Sequence, residues 1–336
     1  MQPPGGQPPP YGGQPPPYGQ PYPPYGPPYG PGGYPYPEPR VKATGLEKGY
    51  LYGTAIAWGI GTGVWLDVEA EIENPGLAII MPALFGAAAP VGVFIADTAL
   101  DGFSRGVPAA IATGMWLGGG LGLGIWAVQS AVSSGSDEWG FVGLGRAAFV
   151  GSVVGGVGGG VIGALVEPSP KTSMFVLSAS GWGTLVGGAF GGAASEGNWK
   201  RANDAVSVGG LIGYGVGLLG SSGASFGWTP SWGQIGAMWA GFGIGAAATT
   251  PIYLVYLAVD EDPRTGLIAQ GIGGLIGIGA GALIGPKDKK SDPNYPGYPP
   301  LSESDLPANS FAQLLGIGPM VTESGGIGLQ ATGLLY

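Results

Sequence analysis

"GSVVGGVGGGVIGALVE", residues 151–167, puts glycine at positions 151, 155, 156, 158, 159, 160 and 163 and leaves the other positions almost wholly apolar. In water this is a poor helix, because each interior glycine costs about 1 kcal/mol relative to alanine. A bilayer reverses the balance. Lipid supplies no hydrogen-bond partner, so an unpaired backbone N–H or C=O costs several kcal/mol and the helical ladder holds despite its glycines. Gly151, Gly155, Gly159 and Gly163 then recur once per turn on one face. Lipid also removes the hydrophobic drive between helices, and small residues four apart allow the close backbone approach on which association then depends. The stretch reads as a membrane-spanning helix with a glycine packing face.

The same spacing returns along the chain. It occurs at Gly114, Gly118 and Gly122, at Gly183, Gly187 and Gly191, at Gly209, Gly213 and Gly217, at Gly241 and Gly245, and at Gly273, Gly277, Gly281 and Gly285, with a shorter relative at Gly53, Ala57 and Gly61. Charged residues interrupt the apolar sequence at intervals that suit a bilayer, which needs about 20 residues per helix. The segments fall near 50–66, 75–96, 107–132, 143–166, 173–194, 205–221, 232–258 and 265–285. The uncharged run 205–259 counts as two, because "GSSGASFGWTPSWG" breaks it with turn residues and Pro230. This pattern predicts an all-α, polytopic transmembrane helical bundle with glycine-zipper (GxxxG) packing and about eight spans.

Three regions follow. Residues 1–46 are a disordered Pro/Gly/Tyr-rich tail with almost nothing to bury, 47–286 the transmembrane domain, and 287–336 a polar linker followed by a C-terminal β-hairpin around the turn signal Glu323–Gly326. A β-barrel is the competing architecture, since Tyr52, Thr54, Ile56, Trp58, Ile60, Thr62, Val64, Leu66 and Val68 alternate as a membrane strand would. Later segments argue against it. "IIMPALFGAAAPVGVFIA", residues 79–96, is apolar on every face, and 151–166 carries glycine on both parities.

Composition restricts the chemistry. Of the 336 residues only 10% are charged, against about 25% in an ordinary soluble protein. Cys and His are absent, which removes disulfides, thiolate chemistry, imidazole bases and the usual zinc ligands. No cofactor and no metal site is expected, and the chain reads as a non-enzyme. The twelve Lys and Arg make no basic stripe, so no nucleic-acid partner is expected. Glycine triplets such as Gly158, Gly160 and Gly163 lack the strand and acidic residue of a dinucleotide fold. Asp67, Glu69, Glu71 and Glu73 read as a solvated connector.

Intramembrane polar residues are where a solute path would show. Arg146, Gln234 and Gln270 are the candidates for one; Thr62, Gln129, Thr249 and Thr250 are expected to bond across helices. The bilayer is the expected partner, and the GxxxG faces could also pair two copies of the chain. "PPPY" at 8–11 and 15–18 fits the short ligand of WW domains, making a tail-binding protein a further candidate.

An even number of spans puts both ends of the chain on one side. That side holds Arg40, Lys42, Lys48, Arg105, Lys171, Lys287, Lys289 and Lys290, the other Arg146, Lys200, Arg201 and Arg264, so the positive-inside rule predicts cytoplasmic termini in an inner membrane. No charged segment followed by an apolar one opens the sequence, so no cleavable signal is expected at Met1.

"LYGTAIAWGIGTGVWLDVE", "AAPVGVFIAD", "EPSPKTS" and "RANDAVSVGGLIGYGVG" resemble uncharacterised glycine-rich multi-pass envelope proteins of myxobacterial type, over most of residues 48–285. Such proteins often carry a secretory signal ahead of a Pro-rich segment. A missed signal would move the chain to the outer envelope. The expected role is structural, a scaffold in the bacterial envelope, with a passive channel or carrier for a small solute as the alternative.

Overall fold

The structure is a computed structural model that describes residues 41–133, 138–195, 199–259, 261, 264–287, 313–321 and 327–334. All of these but Val41 belong to the compact unit Lys42–Tyr336. The helices are α1 Gly45–Glu69, α2 Ile80–Ala99, α3 Val107–Val132, α4 Gly140–Val166, α5 Pro170–Ala194, α6 Trp199–Ala224, α7 Trp232–Ala258 and α8 Arg264–Ile284. Two strands follow, β1 Gln313–Val321 and β2 Ile327–Leu334, paired antiparallel from Gln313↔Leu334 to Val321↔Ile327. The proposed turn at Glu323–Gly326, the Pro-rich tail through Arg40 with its PPPY motifs, and most of the linker lie outside the described residues.

The chain is an all-α integral membrane protein: among the described residues seven helices, α2 to α8, are long and apolar enough to cross a bilayer. The eighth, α1, is less apolar because its charge-free stretch 49–66 is rich in Gly, Tyr, Thr and Trp, with Glu47, Lys48, Asp67 and Glu69 flanking it. Its strand-like alternation splits on a helix into two stripes. Ile56, Ile60, Val64 and Val68 form an exposed one, whereas Thr54 and Thr62 are buried. Residues spaced by two are also spaced by four, so one pattern serves both geometries.

Helix ends follow local chemistry. Thr44 caps α1 in a capping box with Glu47, so the helix starts at Gly45, ahead of the apolar run. Ser169 caps α5 ahead of Pro170, and Ser231 caps α7 in a second box with Gln234. The α3 start needs glycine. Gly106 has φ +82°, and a Cβ there would stand 2.7 Å from the Pro168 carbonyl oxygen. Its N–H donates to Glu47 Oε1 at 2.6 Å, while Glu47 Oε2 accepts from the Thr44 N–H at 2.6 Å. One fully buried carboxylate thus ties the starts of α1 and α3.

Consecutive helices pair as antiparallel hairpins, and three of these share one construction. In the second hairpin, a Cβ added to Gly114, Gly118 or Gly122 would collide with the carbonyl of Gly155, Gly151 or Ala147; one added to Gly151, Gly155 or Gly159 would collide with that of Gly118, Gly114 or Ala110. Gly163 continues the face, its added Cβ falling 2.9 Å from Val107 Cα. In the third hairpin Gly183 meets Gly213, Gly187 meets Gly209, Gly191 meets Ala205, and Gly217 meets Ala179. In the fourth, Gly241 meets Gly277, Gly245 meets Gly273, and Gly281 meets Ala237. The hydrogen that stands in place of each Cβ points at a carbonyl across the pair. This is the arrangement of a weak C–H···O contact, worth about 0.5–1 kcal/mol.

Each of these six helices opens its run with alanine four residues ahead: Ala110, Ala147, Ala179, Ala205, Ala237 and Ala269. The first hairpin is a degenerate version. Ala55, Gly59, Gly63 and Asp67 on α1 run beside Ala78, Pro82, Gly86 and Pro90, and Cβ atoms at Gly59 and Gly63 would strike the backbone at Phe85 and Pro82. Helices α1 to α8 therefore repeat one hairpin plan four times, the first time loosely.

Larger side chains join successive hairpins. Trp116 Nε1 on α3 donates to Thr54 Oγ1 on α1 at 3.1 Å, and Trp58 on α1 stacks against Phe149 on α4 with centroids 5.4 Å apart. Tyr214 on α6 donates its hydroxyl hydrogen to the Leu117 carbonyl on α3. Between α5 and α7, Trp239 Nε1 donates to Ser178 Oγ at 3.1 Å and the ring tilts against Trp182 at 5.3 Å.

Candidate functional site

Arg146, Gln234 and Gln270, the candidates for a polar path, sit on three different helices and do not share a cavity. Gln234 is at the start of α7, where Oε1 accepts from the Ser231 N–H at 2.9 Å and Nε2 donates to the Ala282 carbonyl on α8 at 2.8 Å. It is a capping residue. Gln270 on α8 donates through Nε2 to Thr250 Oγ1 on α7 at 3.2 Å. Thr250 and Thr249 in turn donate their hydroxyl hydrogens to the Ala246 carbonyl, at 3.1 and 2.9 Å. Both glutamines therefore work inside the fourth hairpin.

Arg146 lies near the start of α4, about 9 Å along the axis from Gly140 at 1.5 Å per residue. Its Nε–H donates to Glu69 Oε2 at 3.2 Å and Nη2 donates to Oε1, closing a two-pronged pair onto the end of α1. The pair is only partly covered, with side chains 61% and 33% exposed. Asp67, two residues earlier and so on the other side of the helix, is buried instead. The acidic connector thus divides its labour: one carboxylate pairs across helices and its neighbour packs inside.

A long groove opens beside Arg146. α3 packs on both α4 and α6, and the space left between those two encloses about 1400 Å³. Its floor is the glycine-lined back of α3 and α4, including Gly118, Gly155 and Gly158. Leu121, Val150, Val154, Ile162 and Leu218 make its walls. From Trp139 to Val166 along α4 it runs about 40 Å, enough to traverse the hydrocarbon of a bilayer. Polar side chains gather at the ends. Arg146 and Trp139 mark one, and Thr172, Ser173, Ser222 and Ser225 the other. Ser225 is already satisfied by the Ser221 carbonyl at 2.7 Å, and Thr172 Oγ1 lies 2.9 Å from Ser169 Oγ.

Sequence reasoning singles out Arg146 but not the groove. The groove depends on how hairpins splay, which Tyr214 and Leu211 set by standing over Gly120 and Gly124 of α3. The one legible signal was the pair of glycines, 120 and 124, two positions out of phase with the Gly114 run. No family model matches the chain, and neither a curated protein nor a solved structure matches it.

Proposed function

We propose that this protein is a non-enzymatic structural element of a bacterial envelope membrane, a scaffold whose hairpins are joined backbone to backbone. One observation carries the reading: the long polar side chains singled out within the bundle bond from one helix to another. Gln234, Gln270, Tyr214, Trp116 and Trp239 each bond a neighbouring helix, and Arg146 binds Glu69. A solute path would need such groups to converge on a wet lining, whereas the groove beside Arg146 carries mainly aliphatic side chains along its middle. The GxxxG faces are filled by the chain's own helices, so further copies would have to meet on other surfaces.

The charge distribution supports an inner-membrane placement with cytoplasmic termini. α1 lies antiparallel along α2, from the Lys48–Asp97 ion pair at 2.8 Å to the Gly63–Pro82 approach, and we count it as an eighth crossing. Lys42, Lys48, Arg105, Lys171 and Lys287 then share the end at which odd-numbered helices begin. Purified protein in liposomes, challenged with a panel of small neutral and charged solutes, tests the scaffold. Leakage equal to that of protein-free vesicles is expected. Reproducible flux that disappears in Gln234→Ala or Gln270→Ala would overturn the reading in favour of a channel or carrier.

A further inference from the structure

We propose that the groove between α4 and α6 is a lipid-binding site that seats one phospholipid, its phosphate on Arg146 and its acyl chains over Val150, Val154 and Leu121. The distribution of polarity carries the argument. A diacyl phospholipid has one charged end and a uniformly apolar body, and the groove repeats that order from Arg146 and Trp139 inward. Along the acyl region glycines line the floor, and the walls offer branched aliphatic surface, with Val150 58%, Val154 66% and Leu121 44% exposed.

Arg146 is placed and free to take a phosphate. Glu69 engages its Nε and Nη2 edge, which leaves the Nη1 N–H groups for a second acceptor, and guanidinium suits phosphate oxygens. The residue sits at the depth from which a long cationic side chain reaches the headgroup level. Trp139, 47% exposed at the N-cap of α4 about two turns before Arg146, lies where an indole ring favours the interface. At the opposite end the lining offers neutral hydroxyls, of which Ser225 and Thr172 are held by Ser221 and Ser169, so the charge complementarity points to a lipid from the leaflet at the α4 start.

The test uses the full chain, stripped of lipid in detergent, and titrates it with dioleoyl phosphatidylglycerol or with dioleoylglycerol, which has the same chains and no phosphate. Bound mass by native mass spectrometry and the thermal midpoint are read together. The phospholipid should add one mass unit of lipid per chain and raise the midpoint, with dioleoylglycerol about tenfold weaker, the loss of one charge-assisted contact. Arg146→Gln should erase the difference between the two lipids. Val154→Trp should weaken both, while Ile212→Trp, an equally exposed change on α6 outside the groove, should weaken neither. Glu69→Gln breaks the same ion pair but leaves the guanidinium, and should retain the phospholipid preference. Equal binding by wild type, Arg146→Gln and Val154→Trp would overturn the proposal, as would a Glu69→Gln loss matching that of Arg146→Gln. A wild-type dimer that Val154→Trp converts to monomer would overturn it too, by assigning the groove to a second copy.

Discussion

The Tyr214 hydroxyl on α6 donates to the backbone carbonyl of Leu117 on α3, and its ring lies over Gly120, where an added Cβ would stand 3.2 Å from Cε2. The bond joins the second and third hairpins at mid-membrane. Tyr214→Phe keeps the ring and removes the hydrogen bond, at a cost of about 1 kcal/mol. A lower thermal midpoint in detergent with unchanged helical circular dichroism is expected. An unchanged midpoint would show that the hairpins are held by apolar packing alone.

Glycines at a helix seam and glycines away from one should differ sharply in tolerance. Gly155 and Gly159 face the backbone of α3, so changing both to Leu should force the helices apart and unfold the second hairpin. Gly215 on α6 has nothing within 4 Å of an added Cβ. Gly215→Leu should be tolerated or mildly stabilising through better helix propensity. Thermal unfolding and size-exclusion profiles of the two variants decide it; a tolerated double replacement would refute the packing role.

Gln234→Ala should act as a lost cap. It removes the bond to the Ser231 N–H and the one to the Ala282 carbonyl, a loss of about 2 kcal/mol, and should lower the thermal midpoint without altering vesicle permeability.

Topology follows from charge placement. Tags before Gln2 and after Tyr336 should be protected from external protease in intact cells, while tags within 67–74 and 260–264 should be cleaved from the periplasm. An exposed N-terminal tag would favour the outer-envelope alternative.

The sequence disclosed the helices better than their partners. The expected segments 107–132 and 232–258 match α3 and α7 to the residue, because Pro108 and Ser231 mark their starts and the apolar runs are clean. The first segment is longer than its apolar run 50–66, because Glu47 is buried in a cap and Glu69 is paired, so these charges lie within the helix and do not mark its ends. The fourfold repeat was present in the letters, but its leading alanines are inconspicuous until the helices are laid antiparallel. The pairing of Gly114 with Gly155, and the groove left between α4 and α6, depend on contacts that no local pattern encodes.

Evenly spaced rungs have a cost in uniqueness. Sliding α3 by one turn against α4 would set Gly114 opposite Gly159, Gly118 opposite Gly155, Gly122 opposite Gly151 and Ala110 opposite Gly163, small against small at every rung. The glycine faces are thus nearly degenerate under a slip of one helical pitch, about 5.4 Å. What picks one alignment must be aperiodic. Trp126 Nε1 on α3 is pinned to the Gly140 carbonyl at 2.8 Å, and at the opposite end Gly106 is wedged against Pro168. The glycines make these hairpins tight and a few bulky residues make them singular, so loss of the Trp126 tie would free a rail along which one helix can ratchet past the other.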